Sequence, residues 1–287
     1  PVVWTMHDMW PCTGICHHAR DCEKFQTECE SCFFLKSKGK DLSTSVFDKK
    51  MSLYKDANIT FVGCSRWLSG RAKKSYLLRG KAVLSIPNPI DTKVYHPMDQ
   101  GMARELLGLP SGKRLLLFGA LNVTDKRKGI DYLIEALRRM EKQDVELVVF
   151  GQVKDDIRGL FPVPIHSMGY LSDESKIVAL YNAVDMFITS SLEENLPNTI
   201  MESMACGTPC VGFEIGGIPE MIDHRVNGYV ANYKDAGDLA NGIQWVLEHE
   251  DRLALSDACV KKVQENYTEE VVAKQYTALY EKLLKGE

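Results

Sequence analysis

The alternation of strand and helix patterns from Lys113 onward is the feature that most limits the fold of this chain. Short aliphatic runs without polar interruptions are followed by stretches with helical periodicity. The elements predicted in this part are strand 115–118, helix 130–141, strands 146–150 and 163–168, helix 173–183 and strand 186–189. Strands that alternate with helices predict a parallel sheet covered by helices on both faces. The predicted fold class is therefore α/β.

The residues before Lys113 predict a smaller unit of the same type. Its predicted elements are a strand at 1–6, helix 44–56, strand 59–64, a helix from 65 and strand 82–86. A turn-rich segment at 88–97 reads as a linker, and the tail predicts helices at 235–249, 252–266 and 269–285. With 287 residues, the chain is longer than one typical domain.

Composition argues against a nucleic-acid-binding protein and shows no candidate for a membrane-spanning helix. The formal net charge is -4, so there is no overall basic surplus for neutralising a phosphate backbone, and no nucleic-acid partner is expected. No apolar run approaches the length of a membrane-spanning helix. Hydrophobic residues make up 45% of the chain, which is enough for a sizeable core.

Two glutamates eight positions apart, Glu194 and Glu202, follow the apolar run 184–189. Pro197 and Asn198 between them predict a turn, with Asn198 as the N-cap of a helix that holds Glu202 in its first turn. Both carboxylates would then lie at the edge where open α/β sheets bind ligands, where they suit the hydroxyls of a sugar or ribose. For an isolated pair, two solvated acids at a helix start would be the better interpretation.

Two further loops favour a ligand-binding site at this edge of the sheet. A predicted strand at 208–213 leads into Gly216 and Gly217, and glycines before a helix let the backbone approach a ligand closely. A loop with three consecutive cations, 126–128, follows another strand and opens a helix, which favours an anion site over a merely solvated loop. Lys128 is the first choice for binding a phosphate, and Arg127 is the second.

Taken in order, these motifs resemble the retaining glycosyltransferases of family four, which have the GT-B fold of two Rossmann-like domains with parallel sheets. The matching positions are His7-Asp8, Ile86 to Asp91, Lys128-Gly129, Glu194 to Glu202, Met204 to Pro209, Gly216 to Glu220 and Asn227-Gly228. Pro89 stands where the family more often has glycine. The resemblance implies a domain at 1–92, a nucleotide-sugar domain at 93–267 and a final helix at 268–287 that packs back on the first domain. It also implies that part of the N-terminal domain is missing.

The resemblance assigns roles within the site. Glu202 would hold the ribose hydroxyls and Glu194 the donor sugar, with the backbone amides of Asn195 and Leu196 close to that sugar. His7 would lie near the reacting centre. Met168 to Leu171 would touch the nucleobase, where Tyr170 could equally stack on the base or simply pack.

No Asp-x-Asp motif occurs in the sequence, which fits catalysis by Lys, Arg and backbone amides without a metal or other catalytic cofactor. The predicted activity is transfer of a sugar, with retention, from a UDP- or GDP-linked donor to a glycan or lipid-linked acceptor. A cytoplasmic setting in surface-polysaccharide synthesis is expected. The basic helix at 66–79 could contact a membrane surface peripherally, or it could be a solvated helix that covers the sheet. The alternatives are a GT-B epimerase or hydrolase, and a binding module without catalysis.

A separate cluster of cysteines lies near the start of the chain. Cys16, Cys22, Cys29 and Cys32 could supply four thiolates to a structural zinc ion, and the Cys29–Cys32 spacing is a familiar chelate. Free cysteines in a loop, or disulfides in an oxidising compartment, are the alternatives. We favour zinc, because the polar loop has no other evident means of ordering.

Overall fold

The computed structural model describes residues 1–122, 125–140, 144–152 and 158–286, with only the backbone at 120–122 and 158. Contacts divide the chain into two compact units. The smaller unit contains Pro1–Asn88 and the residues from Val272 onward, and the larger unit contains Pro89–Val271. The sequence had placed these boundaries at 92/93 and 267/268. Each unit is described by itself below.

The smaller unit contains, in chain order, β1 (Val2–Met6), α1 (Leu42–Lys55), β2 (Ile59–Gly63), α2 (Arg66–Lys74) and β3 (Val83–Ser85). The larger unit contains α3 (Gln100–Leu107), β4 (Arg114–Asn122), α4 (Ile130–Arg139), β5 (Val145–Gln152), β6 (Ile165–Gly169), α5 (Glu174–Ala183), β7 (Met186–Thr189), α6 (Asn198–Ala205), β8 (Cys210–Phe213), α7 (Ile218–Met221), β9 (Gly228–Ala231), α8 (Ala236–Leu247) and α9 (Arg252–Asn266). The last helix, α10 (Glu269–Lys285), belongs to the smaller unit from Val272 on.

The smaller unit is built on a parallel sheet of order β1-β2-β3. Asp41 begins α1 by accepting hydrogen bonds from the backbone of Ser43 and Thr44, whose side chain bonds back in a capping box. Leu68 and Ala72 of α2 are completely buried, so the apolar side of this helix faces the core of the unit.

The larger unit is built on a parallel sheet of order β6-β5-β4-β7-β8-β9. Its central strands carry continuous buried runs, 115–118 in β4 and 147–149 in β5, as expected when helices cover both faces of a parallel sheet. The chain builds β4, β5 and β6 outward in one direction and then returns to add β7, β8 and β9 in the other. The strand order therefore reverses between β4 and β7. Open α/β sheets bind ligands at such a point, outside the carboxyl ends of the strands.

The prediction of an α/β fold with parallel sheets is confirmed. The sequence reading missed α3, although Asp99 caps it and Gly108 ends it in a left-handed conformation, both of which are visible signals. It also missed the four-residue strand β9. The predicted N-cap at Asn198 is wrong, because Pro197 occupies the N-cap position and Asn198 is the first helical residue. Among the described residues, none of the helices is both long and apolar enough to cross a bilayer.

Candidate functional site

The point where the strand order reverses brings two of the predicted site residues together. Lys128 lies in a short 3-10 turn after β4, and Glu194 lies in the loop after β7. The ammonium Nζ of Lys128 donates to Oε1 of Glu194 at 2.5 Å. The carboxylate is well enclosed, with 14% of its side chain exposed, against 33% for Lys128. A fixed positive and a fixed negative charge therefore meet at the carboxyl edge of the sheet.

Backbone contacts hold these two loops against each other. Leu192 N–H donates to Arg127 O at 2.7 Å, and the Ser190 hydroxyl donates to Lys128 O at 3.0 Å. Gly129 adopts a φ of +63°, and a Cβ there would collide with the carbonyl oxygen of Ser190. Only glycine combines that backbone conformation with so close an approach. The position of Lys128 relative to Glu194 is thus fixed by main chain as well as by charge.

Arg127, the second predicted phosphate residue, is paired with an acid of its own loop. Its guanidinium binds Asp125, with Nη2 to Oδ2 at 2.6 Å, and 59% of its side chain is exposed. The hydrogen bonds from Arg127 hold the pKa of the Asp125 carboxyl below its usual range. Val123 and Thr124, which precede this loop in the sequence, lie outside the described residues.

The glycine loop after β8 packs against the Glu194 loop. Gly217 N–H donates to Asn195 O at 2.5 Å. Gly216 has a φ of +59°, and a Cβ there would collide with the carbonyl oxygen of Glu194. The predicted glycine loop therefore lies directly beside the loop that carries Glu194.

Glu202 lies on α6 and is half-buried. Its Oε2 accepts a hydrogen bond from the hydroxyl of Tyr181 at 2.8 Å. Burial raises the pKa of the Glu202 carboxyl, the Tyr181 hydrogen bond lowers it, and the nearby Glu174 charge raises it. The carboxylate is thus held by a neutral donor.

The other predicted donor-site residues lie in the loop between β7 and α6, after β6 and in the smaller unit. Asn195 and Leu196 are buried, each with 7% exposure, in the loop that leads from β7 to α6. Tyr170 follows the edge strand β6 and is 63% exposed. In the smaller unit, His7 is exposed at the carboxyl end of β1. The roles assigned to these residues, and to Glu194, Glu202, Lys128, Gly216 and Gly217, stay predictions.

The cysteine loop contains no α-helix or strand and is formed of turns and one short 3-10 helix, Lys24–Gln26. Cys16, Cys22, Cys29 and Cys32 are free thiols, and Cys29 Sγ accepts a hydrogen bond from Gly14 N–H at 3.3 Å. Within the ranges the structure describes, no three His, Cys, Asp or Glu side chains are gathered so that they could hold a metal ion. The zinc site stays a prediction.

The sequence reading did not single out two residues that shape the site. Ser190 ties the two charged loops together, and Tyr181 binds Glu202. Ser190 follows directly after the predicted strand 186–189, at the edge where ligands bind, so its position was a usable signal. Tyr181 carried no such signal, because its partner lies on a different helix and helical periodicity records only that a residue is buried.

Each of the two units is built on a parallel sheet, and the larger one carries charged and glycine-rich loops at its switch point. This fold is shared with glycosyltransferases of the GT-B type. Residues 112–249, a little under half of the chain, match the family model described as "Glycosyl transferases group 1".

Three known proteins illustrate the similarity. N-acetyl-alpha-D-glucosaminyl L-malate synthase of Bacillus anthracis is 24% identical over 213 residues, which cover 72% of this chain and 55% of that protein. N,N'-diacetylbacillosaminyl-diphospho-undecaprenol alpha-1,3-N-acetylgalactosaminyltransferase of Campylobacter jejuni is 33% identical over 118 residues, covering 41% of this chain and 31% of the relative. Anabaena HepE, solved in complex with UDP and glucose, superposes with a TM-score of 0.71 at 18% identity, covering 98% of this chain and 71% of that one. The chain spans about half the length of the curated relatives that it matches, or less.

Proposed function

We propose that this chain belongs to a retaining, family-four glycosyltransferase that transfers a sugar from a nucleoside-diphosphate sugar to a glycan or lipid-linked acceptor. The observation that carries the proposal is the Lys128–Glu194 pair at the switch point of the larger sheet. A cation there suits the phosphates of a donor, and a carboxylate beside it suits sugar hydroxyls. The complexes of HepE with UDP and with UDP-glucose support UDP as the first nucleotide to test.

The proposed chemistry assigns each group one task. When the sugar–phosphate bond breaks, negative charge develops on the leaving diphosphate, and Lys128 with the first turn of α4 stabilises it. Glu194 and the backbone of Asn195 and Leu196 orient the sugar, and Glu202 accepts the ribose hydroxyls. His7 is the residue that the family resemblance assigns to the reacting centre, and Tyr170 is the candidate contact for the base. No metal is assigned a part in this mechanism.

Surface-polysaccharide synthesis on the cytoplasmic side of the membrane is the proposed setting. The Campylobacter relative, whose name includes an undecaprenol-linked compound, supports a lipid-linked acceptor. A lipid-linked acceptor would bring the chain to a membrane surface, which flotation with liposomes tests.

Calorimetric titration tests the donor site. UDP, GDP and ADP, each alone and as its sugar conjugate, are titrated into the chain, into Glu202→Ala and into Glu105→Ala, which removes an exposed acid from α3 of the same unit. We expect saturable binding of one nucleotide, weakened about ten-fold or more in Glu202→Ala through loss of charge-assisted hydrogen bonds and unchanged in Glu105→Ala. No binding to the folded chain, or equal loss in both variants, would contradict the proposed site.

Product analysis separates the transferase from its alternatives. The selected donor is incubated with and without a candidate acceptor, and the products are identified by mass spectrometry. Sugar on the acceptor supports transfer, whereas free sugar or an epimerised donor without acceptor supports the alternatives.

A further inference from the structure

Tyr181 is held rigidly between the sheet and the next helix. Its ring is completely buried and makes edge-on contacts with Phe150 of β5 and Phe187 of β7, with centroid distances of 6.2 and 6.0 Å. Its carbonyl oxygen accepts a hydrogen bond from the hydroxyl of Thr208 at 2.8 Å. With ring and backbone both fixed, the phenol oxygen has one position, and there it donates to Oε2 of Glu202 at 2.8 Å.

The surroundings of Glu202 suit a neutral ligand. The groups that influence its carboxyl are Tyr181 and Glu174, and its charge in turn acts on Tyr95, Tyr181 and Cys206. Among the described residues, no Lys or Arg pairs with this carboxylate. A carboxylate has about four acceptor positions, and Tyr181 occupies one of them. The remaining positions can accept two adjacent hydroxyl groups, and no cation competes for them.

We propose that Tyr181 is a positioning residue that fixes the carboxylate of Glu202 for the two adjacent hydroxyls of a ribose, and so makes the site select ribonucleotides over 2′-deoxyribonucleotides. The inference rests on the proposed function, because it takes Glu202 as the ribose-binding group. The inference adds to that function Tyr181, which itself touches no ligand, and a preference for ribonucleotides that depends on it. Without the phenol, the carboxylate is free to rotate and has lost its protein donor, so a second ligand hydroxyl no longer meets an oriented acceptor.

The protonation of Glu202 gives a second consequence. Burial raises the pKa of this carboxyl, and the hydrogen bond from Tyr181 opposes that effect. Removal of the phenol hydroxyl therefore raises the carboxyl pKa further, so the pH below which ribonucleotide affinity falls moves upward. Burial raises the pKa of Tyr95 and of the Cys206 and Cys210 thiols to about 12, so these neighbours stay neutral between pH 5 and about pH 9 and do not contribute a titration of their own.

The test compares two phenol-to-carboxylate hydrogen bonds of equal length. Tyr181→Phe removes the one to Glu202, and Tyr229→Phe removes the 2.8 Å bond from Tyr229 to Asp238 elsewhere in the same unit. UDP and 2′-deoxy-UDP, with GDP and 2′-deoxy-GDP in parallel, are titrated calorimetrically into the wild-type chain and both variants. We expect Tyr181→Phe to weaken the ribonucleotide about ten-fold and the deoxynucleotide less than about two-fold, as for a lost hydrogen bond to a charged group. Tyr229→Phe is expected to leave both affinities unchanged.

Several outcomes would overturn the inference. Equal weakening of the two nucleotides in Tyr181→Phe would mean that Tyr181 acts only through packing. An unchanged pH profile of UDP affinity in Tyr181→Phe between pH 5 and about pH 8 would mean that Tyr181 does not lower the pKa of the Glu202 carboxyl. Should Tyr181→Phe fail to fold, Glu202→Gln keeps the side-chain shape and must lose the same ribose preference. A wild-type chain that binds no nucleotide refutes the proposed function as well, whereas a binding wild type with an unaffected Tyr181→Phe refutes this inference alone.

Discussion

At the scale of single residues, Lys128 and Glu194 are both predicted to bind the donor, and in this structure they pair with each other. Each satisfies the other, with Nζ and Oε1 at 2.5 Å, and the enclosed carboxylate cannot simply turn into solvent. A diphosphate that binds Lys128 must therefore compete with Glu194 for the ammonium group. Binding of the donor would release Glu194, which could then accept sugar hydroxyls. The diphosphate and the sugar of the donor would in this way be recognised together.

Glu194→Gln tests this competition. The amide carries no charge to hold Lys128, so we expect UDP to bind about three-fold more tightly or with unchanged affinity, because the ion pair no longer has to be broken. UDP-glucose should lose its advantage over UDP, since the charged acceptor for its hydroxyls is gone. Calorimetry with both ligands measures the two effects.

Glu105→Gln is the matched control, because it removes the same charge from an exposed position on α3 of the same unit. It should change neither affinity by more than about two-fold, since a single exposed charge contributes little. If Glu194→Gln weakened UDP and UDP-glucose equally, the competition between carboxylate and diphosphate would be ruled out.

At the scale of elements, the end of the sheet opposite the candidate site is held by one buried carboxylate. Asp185 lies immediately before β7, with 2% of its side chain exposed. It accepts hydrogen bonds from Arg104 of α3 at 3.1 Å, Arg252 of α9 at 2.7 Å and the backbone N–H of Leu115 in β4 at 2.7 Å. This anchor fixes β4 against β7, the two strands whose carboxyl ends carry Lys128 and Glu194.

Asp185→Ala should destabilise the larger unit by about 3–5 kcal/mol, because it leaves the buried guanidinium of Arg104 without its charge partner. The free energy of unfolding is measured by urea denaturation. Asp144→Ala, which removes the partner of Lys113 from an exposed ion pair, should cost less than about 1 kcal/mol. Similar losses in the two variants would mean that Asp185 is not an anchor.

The elements also show where sequence reading succeeds and fails. The strands 115–118 and 186–189 were predictable because both faces are buried, and the helices at 252–266 and 269–285 because their periodicity is long. Alternation of strands and helices indicated that Lys128, Glu194 and Gly216 would lie at one edge of a sheet. It gave no strand order, so the direct contact of Lys128 with Glu194 could not be derived. The pairing of Tyr181 with Glu202 depends on how α5 packs on α6, which no local pattern records.

At the scale of the whole molecule, the two ends of the chain build one unit. Val272 and Leu279 of α10 pack with Val62 and Ile86 in the core of the smaller unit. The hydroxyls of Thr5 in β1 and Tyr276 in α10 are 2.9 Å apart and hydrogen-bonded. A three-stranded sheet buries little surface by itself, so the last helix supplies a share of the core that local elements do not.

Leu279→Ala should therefore destabilise a unit whose strands lie about two hundred positions earlier in the chain. Leu279 is 7% exposed, and its truncation should cost about 2–4 kcal/mol through lost burial and a residual cavity. Trp4, Trp10 and Trp67 lie in the smaller unit and only Trp245 in the larger one, so tryptophan fluorescence during urea unfolding reports mainly on the smaller unit. Leu284→Ala, on the same helix but 80% exposed, should leave the transition within about 0.5 kcal/mol. A Leu279→Ala transition as stable as that of Leu284→Ala would mean that the smaller unit does not need α10, and that its core is closed by other residues.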